Sequence, residues 1–228
     1  MRRTAFIIVA AGRGVRMGAP LPKQYLPLEG RPILAHTVLA ATALLSPGDP
    51  LILVIPPDDD ERVRALLEEY CPGISLALVH GGATRGESVL HGLREVSEEI
   101  DQVAIHDGVR PILRREMWDR LLAAMESAEA AIPVTRPTDS LRMITPDGAS
   151  TVLDRSLVRC VQTPQFFSRE AIVAAYEAEG DTTQTDDAGL YSRHTGRSPL
   201  LVEGDPDNLK ITTPRDLALA SLILRDEL

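Results

Sequence analysis

The chain has 228 residues, 44% apolar and 25% charged, with a formal net charge of -9. Those values suit a soluble α/β domain with a sizeable core, and they exclude an overall basic field of the kind that draws a protein to nucleic acid. No stretch approaches the roughly 20 apolar residues of a membrane span, and two cysteines, Cys71 and Cys160, without a CxxC spacing suggest two buried thiols rather than a zinc site or disulfide framework.

The first predicted element is Phe6-Ile7-Ile8-Val9, an apolar run with no residue to face water, read as a buried strand rather than a signal peptide. It leads into a glycine-rich segment interleaved with cations: Ala10, Ala11, Gly12, Arg13, Gly14, Arg16, Gly18 and Lys23. Such a loop after a strand offers backbone N–H groups and positive charge to a phosphate. Met17 stands where the dinucleotide fingerprint needs a third glycine, and no Gly-Lys-Ser/Thr follows, so neither that fingerprint nor the P-loop is present.

Further on, Leu34, Val38, Ala41 and Leu45 mark a helix that Ser46-Pro47-Gly48 stops, and Leu51–Ile55 is a second strand. Val63, Leu66, Leu67 and Tyr70 mark the next helix; Ile74–Val79 is a third strand; Ser88–Ser97 is helical. Gln102–His106 is a fourth strand, followed by a helix around Trp118, Leu121, Leu122 and Met125 and a strand at Ala130–Val134. Strand and helix alternate, which predicts a doubly wound, mostly parallel sheet in one domain spanning residues 1–228. From about 135 to 160 the rhythm breaks: Leu141–Ile144 and Thr151–Leu153 flank Pro146-Asp147-Gly148, a hairpin arm of a kind that packs on a second subunit. Helices near Arg169–Tyr176, Asp186–Ser192 and Pro214–Leu224 and a short strand at Leu200–Val202 complete the chain, and Cys160 sits in an apolar strand and reads as core.

In an open parallel sheet, ligands bind beyond the carboxyl ends of the strands. The first strand is followed by Gly12, Arg16 and Lys23, the third by Gly81, Gly82, Arg85 and Ser88, and the fourth by Asp107, Gly108 and Arg110. Small residues with charged or hydroxyl groups at several strand ends read together as a nucleotide site. His106 reads as a packed support rather than a base, and His36, His80, His91 and His194 lack ligand spacing. Asp107 suits a divalent cation or a ribose, with a helix N-cap as the plainer alternative.

The motifs AAGRGVRM with PKQY, GGATRGESV, HDGVRP, TPQFF, TDD and GDPDNLKIT, in this order and spacing, resemble those of the 2-C-methyl-D-erythritol 4-phosphate cytidylyltransferases, a branch of the sugar-phosphate nucleotidyltransferases. The resemblance runs from Ile7 to about Leu219. It implies a Rossmann-like fold of the nucleotide-diphospho-sugar transferase type with a β-hairpin arm, a homodimer, CTP and a polyol phosphate as substrates, Mg²⁺ as cofactor and pyrophosphate as by-product, while the composition by itself points to a cytoplasmic location. It assigns Arg16 and Lys23 to the triphosphate as transition-state stabilisers, each worth on the order of 3 kcal/mol. Arg155 and Lys210 complete the implied catalytic set by holding the acceptor. CTP is implied to contact Ala10, Ala11, Gly12, Gly14, Arg16, Lys23, Gly82, Ala83, Arg85, Ser88 and Asp107, with the base read largely by backbone groups. The acceptor is implied to contact Asp107, Gly108, Arg110, Ser140, Arg155, Thr163, Thr185 and Lys210, with Asp186 nearby, and Asp107 is the implied metal ligand. Ala83 stands where some members carry an acidic residue, and Ser140 and Arg142 replace the more usual Thr and Lys of the arm. Two other readings stay open: a nucleotidyltransferase with a different polyol or sugar phosphate, and a nucleotide-binding regulatory module without turnover.

Overall fold

The computed structural model describes residues 2–12, 21–179 and 186–226. Its first strand, β1 (Thr4–Val9), lies inside an eight-stranded sheet, between β4 (Leu51–Ile55) and β6 (Gln102–Asp107), parallel to both. β5 (Ala77–His80) closes that side, parallel to β4. Two short pairs stand apart: β2 (Pro27–Leu28) with β3 (Arg31–Pro32), and β8 (Leu141–Ile144) with β9 (Ser150–Leu153). On the other side of β6 the sheet turns mixed. β11 (Gln165–Ser168) inserts antiparallel between β6 and β7 (Ala130–Thr135), β10 (Cys160–Val161) runs antiparallel to β7, and β12 (Leu200–Glu203) runs parallel to it.

The continuous apolar runs of β1 and β4 follow from burial on both faces. Phe6, Ile8, Leu51, Leu53 and Ile55 point into one core cluster, with α1 (Ile33–Leu44), α2 (Asp60–Tyr70) and α4 (Arg115–Met125) packed over it. Ile7, Ile52 and Val54 point the other way, against α3 (Arg85–Arg94), α5 (Arg169–Glu179) and α6 (Asp187–Thr195). Trp118 stacks on Phe6 at 5.5 Å and meets Phe166 edge-on at 4.8 Å, tying β11 to the parallel half of the sheet. α7 (Pro214–Asp226) adds Ala220 to a smaller cluster with Leu28, Ile33 and Ile211.

Several expectations change. β5 starts three residues after the expected Ile74, as an edge strand whose residues are not fully buried. α3 begins at Arg85 rather than Ser88, because Thr84 and Glu87 form a capping box that starts the helix. β10 is the strand expected around Cys160, only two residues long, and β11, unread in the sequence, continues the sheet after it. Cys160 is exposed rather than core, since it sits on a two-residue strand at the sheet margin, whereas Cys71 is buried. Burial raises the Cys71 thiol's pKa to about 11. The arm matches its expected strands: β8 and β9 form a separate antiparallel pair closed at Gly148, whose φ of +82° suits a residue without Cβ.

Candidate active site

β1, β5 and β6 end on one rim, and a cavity of about 550 Å³ opens beyond them. Its lining includes Ala10, Ala11, Gly12, Lys23, Gly82, Ala83, Arg85, Ser88, Asp107 and Lys210. The structure thus brings ten of the expected residues together from five segments of chain. Gly14, Arg16 and Thr185 lie outside the described residues.

The strand ends approach this closely only because the facing residues are small. A Cβ on Gly81 would lie 2.4 Å from the Ala11 Cβ and 2.7 Å from the Ser88 Oγ. Gln24, whose role the sequence did not reveal, fastens the loop after β1: its buried amide donates to the carbonyls of Ala10 at 3.0 Å and Gly12 at 3.1 Å. The Gly82–Ala83 backbone is fastened too. Ser88 Oγ accepts from the Gly82 N–H, and Glu87 accepts from the N–H groups of Ala83 and Thr84. Those donors are already committed, which narrows the expected backbone reading of the base to carbonyl oxygens and to whatever Ser88 and Glu87 release. The signal for this, the Thr-x-x-Glu capping box at Thr84 and Glu87, is legible in the sequence.

Asp107 ends β6 and is the electrostatic centre of the site; it caps no helix, so the plainer alternative fails. Its Oδ2 meets Lys210 Nζ at 2.9 Å and Arg110 Nε at 3.3 Å, and its Oδ1 faces Arg85 Nε at 3.6 Å. Burial alone would raise the carboxyl's pKa, but the charges of Arg85, Lys210 and Arg110 hold it far below the usual carboxylate range. Arg85 gives its Nη1 and Nη2 to Asp187 at 2.7 and 2.9 Å. Burial works against its charge, and the carboxylates of Asp187 and Asp107 more than offset that.

A second cavity of about 290 Å³ shares Arg85, Asp107 and Lys210 with the first and adds Arg110, Gln162, Thr163, Gln165 and Asp186. Thr163 Oγ1 hydrogen-bonds His106 Nδ1 at 2.8 Å and accepts from the Asp107 N–H at 3.2 Å. His106 is fully buried, with Nε2 on the Arg110 carbonyl at 3.0 Å, and burial pushes its pKa down to about 4. It is the packed support expected of it. Lys210 is carried on a loop pinned by Asn208, whose side chain donates to the Thr163 carbonyl at 2.7 Å and whose carbonyl accepts from Arg110 at 2.8 Å.

Gly108 packs against Ala10 instead of lining either cavity: a Cβ there would lie 2.8 Å from the Ala10 Cβ. Arg155 and Ser140 also line neither. Both are exposed on the arm, where Arg155 donates to the Thr138 carbonyl at 2.7 Å. Among the described residues no group of three or more His, Cys, Asp or Glu side chains forms a metal cage.

The sequence model of the 2-C-methyl-D-erythritol 4-phosphate cytidylyltransferases matches residues 4–226. A protein of that name from Porphyromonas gingivalis is 41% identical over 218 residues, covering 96% of this chain and 96% of its own. One from Cereibacter sphaeroides is 43% identical over 225 residues, covering 97% and 96%. The crystal structure of the 4-diphosphocytidyl-2C-methyl-D-erythritol synthase from Anaerococcus prevotii superposes with a TM-score of 0.84 at 30% identity, covering 98% of this chain and 99% of that one. With the strand-end cavity, its cationic wall and these full-length matches in agreement, the chain belongs to the 2-C-methyl-D-erythritol 4-phosphate cytidylyltransferase family.

Proposed function

We infer that this protein transfers the cytidylyl group of CTP to the phosphate of 2-C-methyl-D-erythritol 4-phosphate, giving 4-diphosphocytidyl-2-C-methyl-D-erythritol and pyrophosphate. The observation that carries the reading is the shared wall of Arg85, Asp107 and Lys210 between a glycine-rimmed cavity and a smaller polar one. A nucleotide in the first and a polyol phosphate in the second would bring two phosphoryl groups to one cluster of cations. The acceptor phosphate oxygen attacks the α-phosphorus, a new P–O–P linkage forms, and the bond to the β-phosphate breaks, its electron pair leaving on pyrophosphate.

Two anions must meet, so positioning and charge neutralisation are the main tasks. Lys210 stands between the two cavities, with Arg110 on the acceptor side and Lys23 on the nucleotide side. No base is required, because the acceptor phosphate is already ionised, and neutral, doubly hydrogen-bonded His106 is poorly suited to serve as one. Arg16 is assigned to the triphosphate by family resemblance. Among the described residues Asp107 is the one carboxylate lining the larger cavity, a donor set that fits Mg²⁺ held by a single protein carboxylate and the substrate's phosphates better than a preformed cage. When bound, the ion would neutralise phosphoryl charge there.

The protein is read as a homodimer joined through its arm, supported by exposed Met143, Ile144, Val152 and Leu157. In such a dimer Arg155 and Ser140 would serve the partner's acceptor site. A cytoplasmic location is supported by two cysteines outside any disulfide, and no helix among the described residues is long and apolar enough to cross a membrane.

The test is pyrophosphate release from each of the four nucleoside triphosphates with Mg²⁺, with and without the methylerythritol phosphate. Release is expected only with CTP and that acceptor together. Release with another polyol phosphate would keep the mechanism and change the substrate; CTP binding without release from any pair would make the protein a binding module.

A further inference from the structure

Behind the wall shared by the two cavities lie two side chains that have no place in the scheme above, Asp187 on α6 and Tyr176 on α5. Asp187 is fully buried and takes both terminal nitrogens of Arg85 in a bidentate pair, while the Tyr176 hydroxyl donates to its Oδ1 at 2.5 Å. A guanidinium held by a carboxylate in this fork is fixed in plane as well as in place. Its remaining nitrogen, Nε, faces Asp107 Oδ1 at 3.6 Å, and Asp107 Oδ2 holds Lys210 Nζ at 2.9 Å. A continuous chain of polar contacts therefore runs from Tyr176 through Asp187, Arg85 and Asp107 to Lys210, crossing α5, α6, α3 and β6. Buried ion pairs are a poor way to gain stability relative to apolar packing, which turns attention to what this one orients. All three Arg85 nitrogens already face a carboxylate, which leaves only the outer N–H of each terminal nitrogen to meet a triphosphate, although the residue lines the nucleotide cavity.

We propose that Asp187 and Tyr176 are positioning residues for the transfer: they lock Arg85 so that it orients Asp107, and Asp107 in turn aims the Lys210 ammonium at the acceptor phosphate. Arg85 then belongs to the acceptor side of the reaction and is not a ligand of CTP. This rests on the cytidylyl-transfer reading, and a displacement of the reacting groups by about 1 Å is enough to cost on the order of 100-fold in rate.

Asp187→Asn tests it, because the amide keeps the shape and one acceptor while removing the charge. The expected result is a fall of about 100-fold in kcat/KM for the acceptor, with the KM for CTP changed by less than about threefold. Tyr176→Phe removes one hydrogen bond only and is expected to shift the same parameter in the same direction by about threefold to tenfold; it also keeps the test alive if Asp187→Asn does not fold. Unchanged kinetics in both variants, or a rise in the KM for CTP matching that for the acceptor, would overturn the proposal. A second readout does not depend on turnover. The Arg85 Nε–H resonance, identified by its loss in Arg85→Lys, should exchange slowly with water in the wild type and be broadened by Asp187→Asn. If the wild-type protein releases no pyrophosphate, the functional reading fails while this resonance still decides whether the lock exists; a resonance indifferent to Asp187→Asn would remove it.

Discussion

His106 illustrates how burial sets the chemistry of a single residue. Next to the central carboxylate of a phosphoryl-transfer site it has the look of a base, yet its two nitrogens are committed to Thr163 Oγ1 and the Arg110 carbonyl. Burial lowers its pKa from 6.5 to about 4. Between those two values the unfolded chain takes up a proton that the folded chain refuses, so the contribution to stability is complete above about pH 6.5 and is lost as the pH falls toward 4, amounting to about 3 kcal/mol in all. His36, lowered chiefly by burial, acts in the same direction. Urea midpoints at about pH 7.5 and pH 5 should therefore show the wild type weaker at the lower pH, and His106→Asn should shrink that difference while lowering stability at both. A pH dependence as steep in His106→Asn as in the wild type would assign it to other groups.

At the scale of elements, the nucleotide cavity depends on how closely β1, β5 and the start of α3 converge. Gly81 closes that convergence: its missing Cβ is the space that Ala11 and Ser88 occupy. Gly81→Ala is expected to destabilise the fold by about 1–3 kcal/mol, as overpacking does, and to push Ser88 Oγ away from the Gly82 N–H. Denaturation and the KM for CTP should both register the change. A loss of stability without a change in CTP affinity would show that the Gly82–Ala83 turn is not part of the base site. The same crowding explains Gly108, expected on the substrate and found packed against Ala10.

For the whole molecule, the arm is the feature least satisfied by the single chain. A two-stranded hairpin is marginal alone in water, and β8–β9 exposes Ile144 at 67% and Val152 at 74%. Ile144→Asp combined with Val152→Asp is expected to halve the mass seen by sedimentation while leaving the circular dichroism spectrum unchanged. If Arg155 serves the neighbouring subunit, turnover should fall by about 100-fold in the same variant. Full activity in a monomer would remove Arg155 from the mechanism.

The buried strands, the glycine-rich strand ends and the hairpin were legible in the sequence because each is set by local pattern: unbroken apolar runs for β1 and β4, glycines and prolines at turns, alternation broken by the arm. Charge at the strand ends was legible for the same reason, and it led to Asp107, Arg110 and Lys23, whereas Lys210 was reached only through the family resemblance. What the pattern could not carry was pairing across distance. β11 is four residues long and antiparallel, and only its neighbours β6 and β7 make it a strand. Arg85 and Asp187 stand 102 residues apart, and Asp107 and Lys210 meet across a similar separation, so the partners of each charge exist only once the sheet has closed. By itself the sequence determined the layered fold, the rim on which chemistry sits and the family to which the chain belongs. The tertiary structure decided which of the rim's cations face a substrate and which are held by a buried carboxylate, because the energy of a charge depends on its neighbours in space and on its burial, not on its place in the chain.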